Sequence, residues 1–199
     1  MRLEFSWDDG AVQDVRLAEL LDKYGFKGTF YIPTNHGLTQ DEIKKIAIRH
    51  EIGGHTETHP YDLKLLSGID LKKQIGGNRE YLKNLTGQYV EKFCYPRGRY
   101  DYRVIKYVKE AGFKSARTTK VLSTIFPVNP FEQDTTIHCF QRNEYNGQDW
   151  LEVALEFLAK CKMRKGDLVY HVWGHSWELD KNDDWERLEI LLKQIKKIC

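Results

Sequence analysis

Three short stretches of the chain carry residues whose types and spacing suit hydrolytic chemistry. The first is Phe5-Ser6-Trp7-Asp8-Asp9-Gly10, in which an apolar run ends in two adjacent carboxylates. Like charges on neighbouring residues repel, so each needs solvent, a helix end or a cation. Successive side chains at a strand end point in different directions, which lets Asp8 and Asp9 address different parts of one pocket, one holding a metal and the other handling a proton. Gly10 permits a sharp turn directly after them. Helix capping and plain surface charge are the alternative readings of the pair.

The second stretch is Gly53-Gly54-His55-Thr56-Glu57-Thr58-His59-Pro60. Its two histidines are one helical turn apart, so both imidazoles face one point if the segment coils. Two neutral imidazoles and a carboxylate form a zinc set that leaves a position open for water or substrate; two unrelated surface histidines are the alternative. In the third stretch His171, Trp173, His175 and Trp177 alternate, followed by Glu178. On a strand these four share a face, with Gly174 as a potential interruption. Histidine titrates near neutrality and serves as a general acid, and tryptophan offers a flat face to a sugar ring. Core packing is the alternative here.

Elements that could position these groups alternate along the chain. Apolar, β-rich runs predict strands near 2–7, 28–33, 51–54, 91–95, 113–117, 135–140 and 167–173, and segments of helical period separate them, as in repeated βα units around a parallel sheet. Leu17, Leu20, Leu21 and Tyr24 form one helical stripe that ends at Gly25. Thr39 with Glu42 has the form of a capping box, and Asp149 with Glu152 approximates another. Leu71, Ile75, Asn78, Leu82 and Leu85 keep helical spacing through Gly76-Gly77, a pair costing about 2 kcal/mol relative to alanine in a helix interior. Close packing or a break in the helix are the two ways to accommodate it. Residues 118–134, with Pro127, Asn129 and Pro130, read as the longest irregular connection.

A chain of 199 residues suits a single domain with a sizeable core. Lysine plus arginine number 31 against 29 acids, and a net charge of +2 supplies no long-range field for nucleic acid or an anionic membrane. The four cysteines are dispersed with no Cys-x-x-Cys, as expected of reduced packing residues. The first residues leave no room for a signal peptide's apolar region and no uncharged run reaches membrane-spanning length, so the expected setting is soluble and cytoplasmic. Seven strands in so short a chain predict a compact βα barrel, in which chemistry collects at the carboxyl ends of the strands. The Asp pair falls at such an end.

Taken together and in this order, the three stretches resemble the motifs of the polysaccharide deacetylase family, carbohydrate esterase family 4. Ser6-Trp7-Asp8-Asp9-Gly10 is similar to the family's Thr/Ser-Phe-Asp-Asp-Gly, and His55-Thr56-Glu57-Thr58-His59 to its His-Ser/Thr-x-x-His. Phe93-Cys94-Tyr95-Pro96-Arg97-Gly98-Arg99-Tyr100-Asp101 is similar to its third-motif region, and His171 falls near the end of the last strand, where the family places a histidine. The resemblance spans nearly the whole chain.

It implies a TIM-barrel-like, distorted (β/α)7 barrel forming a single catalytic domain over 1–199. It also implies a divalent metal, with zinc the expected ion, bound by Asp9, His55 and His59; Asp8 as catalytic base; and His171 as general acid. Tyr95, Arg97, Trp173, His175 and Trp177 are the expected substrate contacts. The third motif departs: in the preferred register the family's arginine aligns with Cys94 and its tyrosine with Arg97, while a shifted register makes Arg97 and Tyr100 the pair. The arginine that orients the base is then missing, and Arg97 or Arg99 either replaces it or contacts an anionic substrate bidentately. The fourth motif is not recognisable in 118–140.

The implied activity is metal-dependent removal of an acetyl group from an N-acetylated sugar or glycan precursor. Two rivals remain: an allantoinase-like amidase acting on a small non-sugar amide, and a carbohydrate-binding barrel without turnover. The expected partner in each case is a small molecule or glycan, not nucleic acid and not a membrane.

Overall fold

Strands buried on both faces read as apolar runs, and the seven such runs of this chain become seven parallel strands. The computed structural model describes residues 1–164 and 166–198. The strands are β1 Arg2–Asp8, β2 Thr29–Ile32, β3 Glu51–Gly54, β4 Lys92–Cys94, β5 Ser115–Arg117, β6 Ile137–His138 and β7 Val169–Gly174. They form one sheet in the order β5-β4-β3-β2-β1-β7-β6, with every neighbouring pair parallel. A single parallel bridge from Gln133, just before β6, to Arg117 of β5 draws the two edges together. The sheet is thus curled into the distorted (β/α)7 barrel that the sequence predicts.

The helices are α1 Asp14–Tyr24, α2 Gln40–Ala47, α3 Gly68–Lys72, α4 Asn78–Thr86, α5 Tyr102–Glu110, α6 Trp150–Met163, α7 Ser176–Lys181 and α8 Trp185–Lys196. None of the described helices is long and apolar enough to cross a membrane. Gly25 ends α1 in the left-handed conformation with φ of 73°, the C-terminal stop that glycine favours. The Thr39–Glu42 capping box at α2 is complete in both directions. At α6, Asp149 caps through Leu151 N alone, without the reciprocal bond from Glu152.

The glycine pair resolves into neither a simple packing contact nor a break. α3 runs into α4 through a π-helical turn at Lys73–Gly77, the local widening that often accompanies a functional constraint. A Cβ on Gly77 would lie 2.3 Å from Glu57 Oε1, so any larger residue would displace the Glu57 carboxylate from its place over the turn. The turn aims the buried Asn78 at the ends of β2 and β3, where its Nδ2 donates to Ile32 O at 3.0 Å and to Thr34 Oγ1 at 3.1 Å. Its Oδ1 accepts from His55 N at 2.9 Å.

Alternation along β1 sorts its side chains. Phe5 and Trp7 join the apolar core, whereas Asp8 meets Arg117 of β5. Those strands are four places apart in the sheet, so this contact crosses the barrel interior. Glu4 and Ser6 share that inward face and meet Gln133 and His171.

Candidate active site

The carboxyl ends of β1, β3, β4, β5 and β7 supply the chemistry. Asp8 closes β1 with its side chain inward. Asp9 then takes a φ of 81° and Gly10 a φ of 61°, a left-handed turn that costs a non-glycine residue about 1 kcal/mol or more. A Cβ on Gly10 would sit 2.9 Å from Ile32 Cγ2 and 3.0 Å from His36 Cβ. The turn swings Asp9 over the barrel mouth, where its Oδ1 lies 3.6 Å from His55 Nε2 and 3.6 Å from His59 Nε2.

The two histidines meet by a route that differs from the helical turn expected of their spacing. The segment after β3 is a loop in which Thr56 and His59 both adopt positive φ, at 70° and 51°. His59 N donates to Thr56 Oγ1 at 3.1 Å, and the rings stand 4.8 Å apart. His55 Nδ1 donates to Cys94 O at 2.8 Å, which fixes its tautomer and leaves the Nε2 lone pair facing Asp9.

The donor atoms of Asp9, His55 and His59 lie within 4.8 Å of one another. Tetrahedral ligation with bonds of ~2.1 Å separates donors by roughly 3.4 Å, close to the spacing present. Burial pushes the His59 pKa down, with His55 adding to the effect, so the ring is held neutral. Burial pushes the Asp9 carboxyl up, but His55, His175 and Trp177 outweigh it and hold the group far below the usual range. Asp9 and His59 are therefore in the protonation states a cation requires, and the His55 Nδ1–Cys94 bond aims its Nε2 at the same point. The residues fit a divalent metal.

Asp8 has its own cation. Arg117 is fully buried and its Nη2 donates to Asp8 Oδ1. Burial pushes the Asp8 carboxyl up, and Arg117 and then His55 and His175 more than offset it, so the group stays ionised. This answers the missing arginine of the third motif. Neither Arg97 nor Arg99 replaces it; Arg117, at the end of β5, reaches Asp8 from the opposite side of the barrel. Cys94 adds a weak Sγ–H donation to Asp8 Oδ2 at 3.4 Å. Sequence reasoning missed Arg117, whose only local signal is a charge at the end of a predicted strand.

The histidine at the barrel mouth is His175. Its Nε2 lies 3.8 Å from Asp9 Oδ2, and its Nδ1 donates to Glu178 Oε2 at 2.7 Å. Burial lowers the His175 pKa, but Glu178, Asp8 and Asp9 outweigh it and raise the pKa above the ordinary value. His138 Nε2 donates to the same Glu178 oxygen at 2.9 Å, fixing that carboxylate from the other side.

The expectation that His171 is the acid is corrected by register. His171 pairs with Glu4, four residues before the end of β1 and so roughly 13 Å down the barrel at ~3.3 Å per residue. There it shares a 2.8 Å hydrogen bond with Ser6 Oγ, and burial holds its pKa well below the ordinary value.

Two of the expected substrate contacts also lie beneath the site. Tyr95 is buried and donates its hydroxyl to Phe131 O at 3.0 Å. Trp173 is buried between His138, stacked at 4.0 Å, and the Arg117 guanidinium, 4.3 Å from its ring. Neither presents a face to a sugar. Trp177 does: it is 38% exposed, and its Nε1 donates to Asp9 Oδ2 at 3.1 Å. Arg97 is exposed on the rim with φ of 56°. Ser176, next to His175, donates to Asp14 Oδ1 at 2.6 Å and ties α7 to the buried start of α1.

Comparison with known proteins bears on this arrangement. An uncharacterised 30.6 kDa protein in the fumA 3' region of Geobacillus stearothermophilus is 26% identical over 106 residues, 50% of this chain and 38% of that protein. The chain thus spans under two fifths of the length of the curated relative it matches. The solved structure of the Bc1960 peptidoglycan N-acetylglucosamine deacetylase is similar with a TM-score of 0.70 at 19% identity, covering 98% of this chain and 82% of that one. A family 4 acetyl xylan esterase from Clostridium thermocellum, in complex with a cobalt ion, has a TM-score of 0.69 at 18% identity, covering 99% and 84%. BA3943 from Bacillus anthracis, a pseudoenzyme of the same carbohydrate esterase family, has a TM-score of 0.64 at 19% identity, covering 98% and 60%. These structures share the fold. A family profile described as Polysaccharide deacetylase matches residues 2–116, and because it runs through the Asp pair, both loop histidines and the Tyr95–Asp101 turn, more than half of the chain, this chain belongs to the polysaccharide deacetylase family.

Proposed function

We propose that the chain is a divalent-metal-dependent hydrolase that removes the acetyl group from an N-acetylated sugar or glycan precursor. The observation that carries this reading is the convergence of Asp9, His55 and His59 beside a separately held carboxylate and a separately held imidazole. A cation at the three ligands, for which zinc suits the donor set, supplies Lewis-acid polarisation of the acyl oxygen and of water.

The chain's own residues divide the proton transfers. Asp8, kept ionised by Arg117, accepts the proton of the attacking water. A backbone N–H of the Arg97 turn donates to the developing oxyanion. His175, aligned by Glu178 and favoured in its charged form by the raised pKa, gives its proton to the departing amine. Without that proton the amine is a poor leaving group and the acyl group stays in place. Trp177 provides the apolar wall against which a sugar ring lies.

The test is a reconstitution. Metal-free protein loaded with zinc is presented with N-acetylglucosamine oligomers and with allantoin, and acetate and ammonia are measured. Zinc-dependent acetate release, reduced about 100-fold or more in Asp8→Asn with zinc still bound, is the expected result. Ammonia without acetate would move the substrate to a non-sugar amide. Tight sugar binding with no product would move the chain to the binding-only reading, which the pseudoenzyme among its structural relatives keeps in view.

A further inference from the structure

The rim beside the metal ligands is crowded with positive charge that the proposed mechanism leaves unused. Lys64, Arg99, Arg97 and Arg103 gather around Tyr61 and Asp62. Asp62 is the one carboxylate shared there, 3.6 Å from Arg99 Nη1 and 3.7 Å from Lys64 Nζ. Among the described residues Arg103 donates only to a backbone carbonyl, Lys64 O, at 2.7 Å. Arg97 has no carboxylate within salt-bridge distance among the described residues. Its guanidinium carbon lies 5.1 Å from the Tyr61 ring centroid, and that of Arg99 lies 4.1 Å from the same ring. Arg99 also donates to the Tyr61 hydroxyl at 3.0 Å. Two guanidinium groups thus share one ring, and of the two only Arg99 has a carboxylate partner among the described residues. In a chain whose net charge is only +2, this is a local concentration of cations.

The backbone fixes Arg97 in that position. Arg97 and Gly98 take consecutive positive φ values of 56° and 66°, and a Cβ on Gly98 would lie 2.1 Å from Thr119 Oγ1. Holding a non-glycine residue so costs about 1 kcal/mol or more, and the result is an arginine turned away from Asp8 and outward over the rim. Tyr61 follows His59 by two residues, and Arg97 follows Cys94, whose carbonyl accepts from His55 Nδ1, by three, so both sides of the rim are continuous with the loops that carry the cluster.

We propose that this rim grips an oxyanion carried by the substrate, a phosphate or carboxylate on the N-acetylated sugar, with Arg97 as the specificity-determining contact. Arginine presents a planar fork that matches either oxyanion bidentately. Lys64, Arg99 and Arg103 steer the anion to it. The inference rests on the deacetylase reading of the site and narrows its substrate to an anionic sugar.

Binding tests it separately from turnover. The zinc-loaded protein is titrated at low salt with N-acetylglucosamine, N-acetylglucosamine 6-phosphate and N-acetylmuramic acid, following tryptophan fluorescence, with acetate release assayed in parallel. At least one anionic sugar is expected to bind about tenfold or more tighter than the neutral one, as a charge-assisted bidentate contact implies. That preference should collapse to about threefold or less in a folded Arg97→Ala protein and recover in part in Arg97→Lys. Which anion is preferred identifies phosphate or carboxylate as the source. Equal affinity for all three sugars, or a preference that survives in Arg97→Ala, would overturn the inference even if acetate is released. Anionic selectivity without acetate release would uphold the rim and remove the hydrolase.

Discussion

Arg117 and Asp8 form a buried ion pair whose members depend on each other. Removing one partner of such a pair strands the other charge in a low-dielectric interior, at a cost of about 3–5 kcal/mol. Arg117→Met should therefore lower stability by that order in chemical denaturation, and in the folded fraction should abolish acetate release by letting Asp8 protonate. Retained stability with full activity would show that Asp8 needs no such support. Glu178 acts on His175 in the opposite sense. Its charge raises the His175 pKa, and because the acid must be protonated, rate falls as pH rises through that pKa. In Glu178→Gln the pKa drops, so the falling limb of the pH–rate profile should move to lower pH. A limb that stays in place would assign the proton donation to another group.

At the scale of elements, the π turn between α3 and α4 and the contact between α1 and α7 hold the site's loops. Asn78 satisfies the backbone N–H of His55, a proposed metal ligand, and outer-shell contacts of this kind are worth about 10–100-fold in metal affinity. Asn78→Ala should weaken zinc binding by that factor, read by competition with a chelator; unchanged affinity would leave the π turn a packing device only.

Asp14 is buried under α7. Burial, with Asp9 and Asp8 adding to it, pushes its pKa up to about 8 against the hydrogen bond from Ser176 and the charge of His175. The native state then holds a proton on Asp14 that the unfolded chain has lost, from the usual carboxylate range up to about pH 8, so stability falls as pH rises across that window. Asp14→Asn should flatten this dependence in the metal-free protein. Its stability advantage over the wild type should be larger at about pH 8 than at about pH 5, by on the order of 3–4 kcal/mol. Parallel stability curves for the two proteins would show that Asp14 is ionised at no cost.

On the scale of the whole molecule, what could be read from the chain was what neighbouring residues decide. The seven strands were legible because buried parallel strands are short apolar runs, and α2 because Thr39 and Glu42 sit within one turn of each other. The Asp pair and the two loop histidines were legible as clusters by their spacing.

What escaped notice depends on register across the barrel. His171 lies on β7 and His175 just past its end with the same parity in sequence, and only the pairing of His171 with Glu4 shows that one lies in the interior and the other at the mouth. Arg117 stands 109 residues from Asp8, and nothing local announces that the two meet across the axis. Trp173 and Tyr95 read as substrate contacts in the sequence because aromatic side chains serve cores and sugar sites alike; burial beneath the site separates the two roles.

The central claim is that one cation is held by Asp9, His55 and His59. Anomalous scattering from zinc-soaked crystals measures this directly: the account predicts a strong peak bounded by those three side chains, and a peak at another cluster, or none with Asp9 turned away from both imidazoles, would contradict it.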